Sequence, residues 1–188
     1  MKQFKQALKM LIIMSVFLGL VYPLVVYGLA QIAFPASANG SLVSQNGRVV
    51  GSMLIGQTFE QAKYFHSRPS ACKYDAANSS ASNLGPMNDA LLDGAKSGAI
   101  AYRQENGLPE SYPVSSDAVL MSGSGLDPHI TLANSLDQAA RVAEARKLPK
   151  QKIVDAIRRQ VQEKTFGLIG SERVNVLQLN VALDNGVI

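Results

Sequence analysis

MLIIMSVFLGLVYPLVVYGLAQIAF, residues 10–34, is a run of 25 residues without a charged side chain. As a helix rising ~1.5 Å per residue it measures about 37 Å, enough to cross a hydrocarbon core of about 30 Å with some tilt. Fourteen of its residues are Leu, Ile, Val or Phe. At roughly −0.3 to −0.6 kcal/mol for each central one, they favour insertion by on the order of 4–8 kcal/mol, more than Pro23, Gln31 and the two glycines oppose. The stretch therefore reads as a membrane span, and it divides the chain. Residues 1–9 form a short N-terminus, 10–34 the span, 35–46 a small, polar, uncharged linker, and 47–188 a domain.

The flanks set the orientation. Lys2, Lys5 and Lys9 precede the run without an acid among them, and the next charge after it is Arg48. The positive-inside rule then keeps residues 1–9 in the cytoplasm and sends the domain across the membrane. Ala36-Ser37-Ala38 looks like a signal-peptide cleavage site, but a signal core is usually about 7–15 residues, and the length of this run argues for a retained anchor. Pro23 frees a backbone carbonyl in mid-span, and Ser15 and Gly19 form a small-xxx-small pair that admits a neighbouring helix. Two readings stay open here: a plain anchor, or a helix that packs against a partner.

Beyond residue 9 the chain carries 15 basic and 14 acidic residues, so no basic patch points to nucleic acid. Cys72 is the single cysteine, which excludes an intramolecular disulfide. The roughly 150 residues after the span suit one mixed domain, and the fold class expected is α+β with a single extracytoplasmic domain. Trp is absent and aromatics are sparse, so the core is expected to rest on Leu, Ile, Val and Ala.

Asn46-Gly47 signals a hairpin turn leading into one or two short strands over residues 48–59. Glu60–Lys63 makes one turn before Tyr64–Ala71. From Ser67 to Pro86 the chain is rich in Ser, Asn, Ala and Pro without periodicity, a loop long enough to be functional or disordered. Asn88 is placed to cap a helix over Asp89–Asn106, with Leu91, Leu92, Ala95, Ala99 and Tyr102 on one face. Val114 and Ala118–Met121 read as strand pieces leading to Ser122-Gly123-Ser124-Gly125-Leu126-Asp127-Pro128-His129-Ile130. A helix follows over roughly Leu132–Lys147, with Leu136, Ala140, Val142 and Ala143 inward and Arg141, Glu144 and Arg146 outward. Pro149 opens another helix to about Glu163. Asn175 and Gln178 suggest a capping box for a last helix, Val176–Asp184, which is preferred over a strand through Leu177, Leu179, Val181 and Leu183.

Candidate chemistry centres on the glycine-serine motif. As a phosphate cradle it lacks the lysine and the third glycine that known loops need. As a nucleophile site, Ser122 or Ser124 would need His129 or His66 as base and an orienting acid, and no G-x-S-x-G is present. A tight glycine turn with Asp127 or a neighbour capping the next helix is the plainer reading. Asp127 and His129 form a weak metal pair at best, and no metal or catalytic residue is assigned. Tyr64, Arg68 and Pro69 lie in a stretch that offers either a recognition patch or core. Phe65 is read as core, and Tyr64 and Arg68 are left open.

Taken in order, several segments resemble the C subunit of the Kdp-type potassium-transporting P-type ATPase of bacteria. They are the N-terminal span, Gly51–Phe59, Tyr64–Ala71, Ser82–Pro86, Ser122–Ile130, Arg141–Arg146 and Arg173–Asn180, and together they cover essentially the whole chain. Departures are small: Ser80-Ala81-Ser82 where Ser-Gly-Ser is common, and Gly170-Ser171-Glu172 where Gly-Glu-Pro is more usual. The resemblance implies a non-catalytic accessory subunit in the inner membrane. Its partners would be a channel-like potassium-translocating subunit (KdpA), an ATP-hydrolysing pump subunit (KdpB), a very small stabilising subunit (KdpF) and membrane lipid. Potassium and Mg-ATP would be used by the complex, with no cofactor bound by this chain itself. The chain has no Asp-Lys-Thr-Gly phosphorylation signature. The family is also described as raising the pump's affinity for ATP, an effect that must be indirect if only about nine residues stay in the cytoplasm. The glycine-serine motif, the Ser/Asn loop and the Ser15, Gly19 and Pro23 face are the expected contact or structural elements. The competing class is a stand-alone, membrane-anchored periplasmic enzyme or binding protein.

Overall fold

The computed structural model describes residues 1–45 and 47–186, and the chain divides into two units, Met1–Leu42 and Val43–Ile188. In the first, one helix runs 32 residues from Lys2 to Ala33 with no buried side chain, long and apolar enough to cross a membrane. It is α1 (Lys2–Val16), a wider π turn over Phe17–Val21, and α2 (Tyr22–Ala33). The helix thus begins at Lys2 rather than at Met10, because the lysines and glutamines of the first two turns are good helix formers. The π turn has a local cause. Pro23 has no N–H to give to the carbonyl of Gly19 four residues back, and its ring crowds that carbonyl. Widening the preceding turn, with the Tyr22 N–H reaching the Phe17 carbonyl, relieves the clash.

Phe34 leaves the helix at φ −140°, and Pro35–Ala38 turns once more as α3. The Asn39 side chain bonds the Pro35 carbonyl at 2.7 Å and the Gln31 amide at 3.0 Å. The expected linker 35–46 is therefore partly structured, since strand β1 (Leu42–Gln45) pairs with β2 (Arg48–Ser52). The hairpin turn expected at Asn46-Gly47 falls partly outside the described residues. Gly47 adopts the φ of +77° that such turns require.

The second unit is built on a three-stranded antiparallel sheet in the order β3 (His129–Thr131), β5 (Arg173–Asn175), β4 (Val161–Gln162). Val174 at its centre pairs with both Ile130 and Val161. Helices α6 (Leu132–Arg146), α7 (Lys150–Gln160) and α8 (Val176–Asp184) cover the sheet. Ile130, Val142, Ile153, Ile157, Val174 and Leu179 meet there with Phe65 from the irregular stretch that precedes α4. Each such fully buried side chain stabilises the fold by roughly 1.5–3 kcal/mol. Phe65 is the core's one fully buried aromatic among the described residues.

Helix boundaries follow the caps. α4 spans Asp89–Asn106, its first turn held by the Asn88 side chain accepting the Ala90 N–H, and it ends at left-handed Gly107. Thr131 caps α6 by accepting the Asn134 N–H, and Asn175 caps α8 by accepting the Gln178 N–H, so residues 176–184 are helix and not strand. Three expectations are corrected. Ser116–Val119 is a one-turn helix, α5, rather than a strand piece, and Val114 and Leu120-Met121 are irregular. α7 stops at Gln160, where Val161–Gln162 turns into β4. On α6, Ala140 is exposed while Arg141 points inward, its side chain only 8% accessible. A guanidinium can be buried when each of its nitrogens is hydrogen-bonded, and here all three are.

Candidate functional site

The extended segment Tyr64–Ser70 belongs to neither sheet, yet two side-chain amides hold it as a strand partner would. Asn180 on α8 accepts the Phe65 N–H at 2.8 Å and donates to the Phe65 carbonyl at 3.0 Å. Gln138 on α6 does the same for His66, at 2.8 and 3.2 Å. Buried backbone needs partners, and these two amides supply both the donor and the acceptor.

Gln138 belongs to a buried polar stripe on the inner face of α6. Asn134, Gln138 and Arg141 recur at intervals of four and three, which keeps them on one side of the helix. The Tyr102 hydroxyl donates to the Asn134 side chain at 2.8 Å, and burial, with the Asp137 and Asp117 carboxylates behind it, pushes that phenol far above its usual range. Arg141 donates to Asn106, to Gln138 and to the carbonyls of Ala62 and Tyr64, all within 3.0 Å. Burial lowers its pKa, against the pull of Glu105 and Tyr102. Glu105 in turn sits 3.0 Å from His66 Nδ1, a contact that holds its carboxyl below the ordinary value.

At the N-terminal end of the stripe stands Asp117 of α5. Its carboxylate accepts from the Thr131 N–H at 2.8 Å, the Thr131 hydroxyl at 3.0 Å, the Asn134 amide at 3.0 Å and the Ser115 hydroxyl. Burial alone raises the pKa of this group, and the four hydrogen bonds outweigh it, leaving the carboxyl below its normal range.

The glycine-serine motif and the Ser/Asn loop form one seam. The Ser70 hydroxyl donates to the Gly125 carbonyl at 2.6 Å, and that of Ser79 to the Ser124 carbonyl at 2.9 Å. The Ser122 N–H reaches the Pro69 carbonyl at 3.3 Å, and the Gly56 N–H reaches the Leu126 carbonyl at 2.7 Å. Two glycines are required by this approach. A Cβ at Gly56 would stand 2.6 Å from the Asp127 carbonyl oxygen. One at Gly125, already at φ +69°, would stand 2.7 Å from that of Ser80. Cys72 lies under the same turn, where the Ser70 hydroxyl lowers its thiol pKa.

Arg68 closes the seam with an ion pair to Asp127 at 2.9 Å. Asp127 also accepts the His129 N–H at 3.0 Å, with the His129 ring 3.5 Å away. Burial raises the Asp127 pKa, but the His129 ring, the His129 N–H and Arg68 together bring it down. Arg68, Asp127, His129 and Arg173 line an open polar cleft of about 280 Å³.

The structure thus gathers Arg68, Pro69, Ser122, Gly123, Ser124, Gly125, Asp127 and His129 in one place. Tyr64 stands apart, its hydroxyl donating to Asp184 at 2.9 Å and its ring under Lys63 and Arg146. Arg146 pairs with Asp184 at 2.8 Å, so it too packs inward rather than facing solvent. Ser122 is buried, and the Ser124 hydroxyl accepts the Leu126 N–H at 3.1 Å. Among the described residues no hydrogen bond joins either serine to His66 or His129. No strand precedes the motif either, because residues 116–119 are helical. The cap of α6 is Thr131, a neighbour of Asp127. Ser15, Gly19 and Pro23 lie on the apolar helix, and an added Cβ at Gly19 would meet no atom within 4 Å.

Sequence reasoning passed over Asp117, Asn134, Gln138 and Asn180. The signal for two of them was present: polar side chains at helical spacing on a face that otherwise carries Ala139, Val142 and Ala143.

The family model described as KdpC, K+-transporting ATPase, c chain, matches residues 4–185. The Potassium-transporting ATPase KdpC subunit of Caulobacter vibrioides (strain NA1000 / CB15N) is 53% identical over 173 residues, 90% of this chain and 86% of the relative. That of Mycobacterium tuberculosis (strain ATCC 25618 / H37Rv) is 48% identical over 185 residues, 97% of this chain and 98% of the relative. With about half of its residues shared along nearly its whole length, this chain belongs to the KdpC family, the c chains of K+-transporting ATPases.

Proposed function

We propose that this chain is a non-catalytic accessory subunit of an ATP-driven potassium uptake complex in the bacterial inner membrane. It anchors itself by the Lys2–Ala33 helix, with residues 1–9 cytoplasmic and the domain periplasmic. There the domain covers the face of the channel-like subunit through which potassium arrives, and the helix packs at that subunit's flank. The pump subunit hydrolyses ATP on the opposite side, so any influence of this chain on ATP affinity is transmitted through the assembly. The very small subunit and membrane lipid complete its surroundings.

The observation that carries this reading is the bare helix. It buries none of its residues within the chain, while the side chains at the heart of the domain are bonded to one another. An interlocked domain on an unpartnered apolar helix suits a part whose partners lie outside it. Lys2, Lys5 and Lys9 in the first turns of the helix, and no charge after them until Arg48, support the orientation. Ser15, Gly19 and Pro23, four residues apart along the π-widened stretch, offer a low-relief surface on which another helix can seat.

Replacing Ser15→Leu and Gly19→Leu together leaves the helix apolar and long enough to span, and raises that surface. The expected result is a several-fold drop in the yield of complex co-purified from the membrane, with this chain still membrane-bound. Unchanged yield would rule out flank packing through this face.

A further inference from the structure

Between β4 and β5 the chain forms a small hairpin whose tip side chains are exposed and meet no partner among the described residues of the domain. Thr165 and Ile169 exchange both backbone hydrogen bonds, at 2.9 and 3.0 Å, closing a three-residue loop. Phe166 is 90% exposed, Leu168 84% and Ile169 67%. Phe166 and Gly167 both have positive φ, +54° and +72°. A bulky aromatic is a poor choice at such a position in water, where Gly, Asn or Asp serves better. The tip thus holds three large apolar side chains outward on a closed, hydrogen-bonded loop.

Charge is distributed unevenly around it. Residues 150–173 carry six basic and three acidic side chains, whereas the rest of the chain beyond residue 9 carries nine basic and eleven acidic. A nearly neutral domain therefore has its positive charge collected on α7 and the hairpin. Arg158, Arg159 and Lys164 are exposed there. Of the acids in this stretch, Asp155 accepts from Gln151 at 2.8 Å, and Glu163 and Glu172 flank the hairpin.

We infer that the Phe166–Ile169 tip is a membrane wedge, inserting into the acyl boundary of an anionic lipid surface while Arg158, Arg159 and Lys164 meet the headgroups. An apolar body with basic flanks is the pattern of interfacial membrane contact. The chain's own helix tethers the domain to a bilayer, so the second contact forms intramolecularly and needs little affinity of its own. A preformed tip also avoids the entropy of ordering a loop on contact. The inference rests on the anchor reading, and not on which side of the membrane the domain occupies or on what the domain covers.

The chain contains no Trp, so Phe166→Trp in the full-length protein introduces a single indole at the tip. The variant is reconstituted in vesicles of acyl-brominated phosphatidylcholine with phosphatidylglycerol. Bromine quenches only near contact, so tethering alone does not produce the signal. The expected result is blue-shifted emission quenched by the brominated chains. Replacing Arg158→Gln, Arg159→Gln and Lys164→Gln in that background should weaken docking by up to roughly 100-fold, at about fivefold for each basic residue near an anionic surface. Emission like that of a water-exposed indole overturns the proposal, as does quenching indifferent to both the triple replacement and the removal of phosphatidylglycerol. The competing occupant is a companion protein. With p-benzoylphenylalanine in place of Phe166 in the assembled complex, lipid adducts uphold the wedge, and adducts confined to another subunit overturn it.

Discussion

Asp117→Leu is expected to destabilise the domain by about 3–5 kcal/mol, because it strands buried donors rather than merely removing a charge. The Thr131 N–H, the Thr131 hydroxyl and the Asn134 amide all lose their acceptor at once. Thr131 caps α6 and ends β3, and Asn134 receives the Tyr102 hydroxyl, so the damage reaches the junction of α4, α5 and α6. Asp117→Asn should rescue in part: its oxygen can keep the Thr131 N–H and Asn134 donors, while its NH2 turns the Ser115 and Thr131 hydroxyls from donors into acceptors and the charge is lost. Thermal unfolding of the full chain in mild detergent, followed by circular dichroism, measures the loss. The same carboxylate sets an acid limit. Its pKa in the fold lies below its ordinary value, so the stability it contributes is complete above the unfolded value of about 3.9 and is lost as pH falls through the folded value. Wild type should lose stability below about pH 4, and the Leu variant should lose less over that interval.

Arg141→Met is expected to cost a comparable amount, about 3–4 kcal/mol, with volume and apolar packing largely kept. Four acceptors depend on this guanidinium: Asn106, Gln138 and the Ala62 and Tyr64 carbonyls. Its partner Gln138 is one of the two amides that hold the strand-like segment, so the Tyr64–Ser70 seam should loosen even where the helices persist. Arg141→Lys should recover little, because one ammonium cannot reach four acceptors spread around a planar fork. Amide hydrogen exchange distinguishes this from global unfolding: His66 should lose protection well before Val174, which lies between two strands. Equal loss at both residues would mean that the segment and the core unfold as one unit.

The two effects explain which parts of the fold can be read from the sequence. Helices α4 and α8 are legible because Asn88 and Asn175 mark their starts, with Gly107 ending the first; α6 is legible from its apolar spacing, while its cap, Thr131, is identified only in the structure. The strands are not, because β3, β4 and β5 are two or three residues long, too short for alternation to register. Ala118–Met121 reads as strand from its Val and Leu, yet Ser116–Val119 is one helical turn whose Asp117 is bonded to Thr131, a long-range partner that no local pattern signals. The candidate site is half legible. Arg68, Ser122, Gly125 and Asp127 stand out as motif residues and do come together. The stripe behind them is signalled only in part: Asn134 and Gln138 recur at helical spacing beside Ala139, Val142 and Ala143, but Arg141 looks solvated until its partners at Ala62 and Tyr64 are known. Phe166 shows the reverse: nothing local in the sequence signals that it is exposed, and its exposure appears only in three dimensions.

The glycine-serine motif emerges from this with a structural role in the chain itself. Gly125 admits the approach of Ser80, Gly56 admits that of the Asp127 carbonyl, and the Gly125 and Ser124 carbonyls receive Ser70 and Ser79. The seam so formed holds the long loop in place without regular secondary structure, as the proposed covering role requires of a preformed surface.

The central claim, that this chain serves an assembly and does no chemistry of its own, is tested most directly on the assembly. The complex is purified in mild detergent with and without this chain, and ATP hydrolysis is measured against potassium and against ATP. The account predicts that without the chain the remaining subunits separate, or hold together with a shifted apparent affinity for potassium or ATP. Subunits that stay together and hydrolyse ATP with unchanged dependence on both would contradict it.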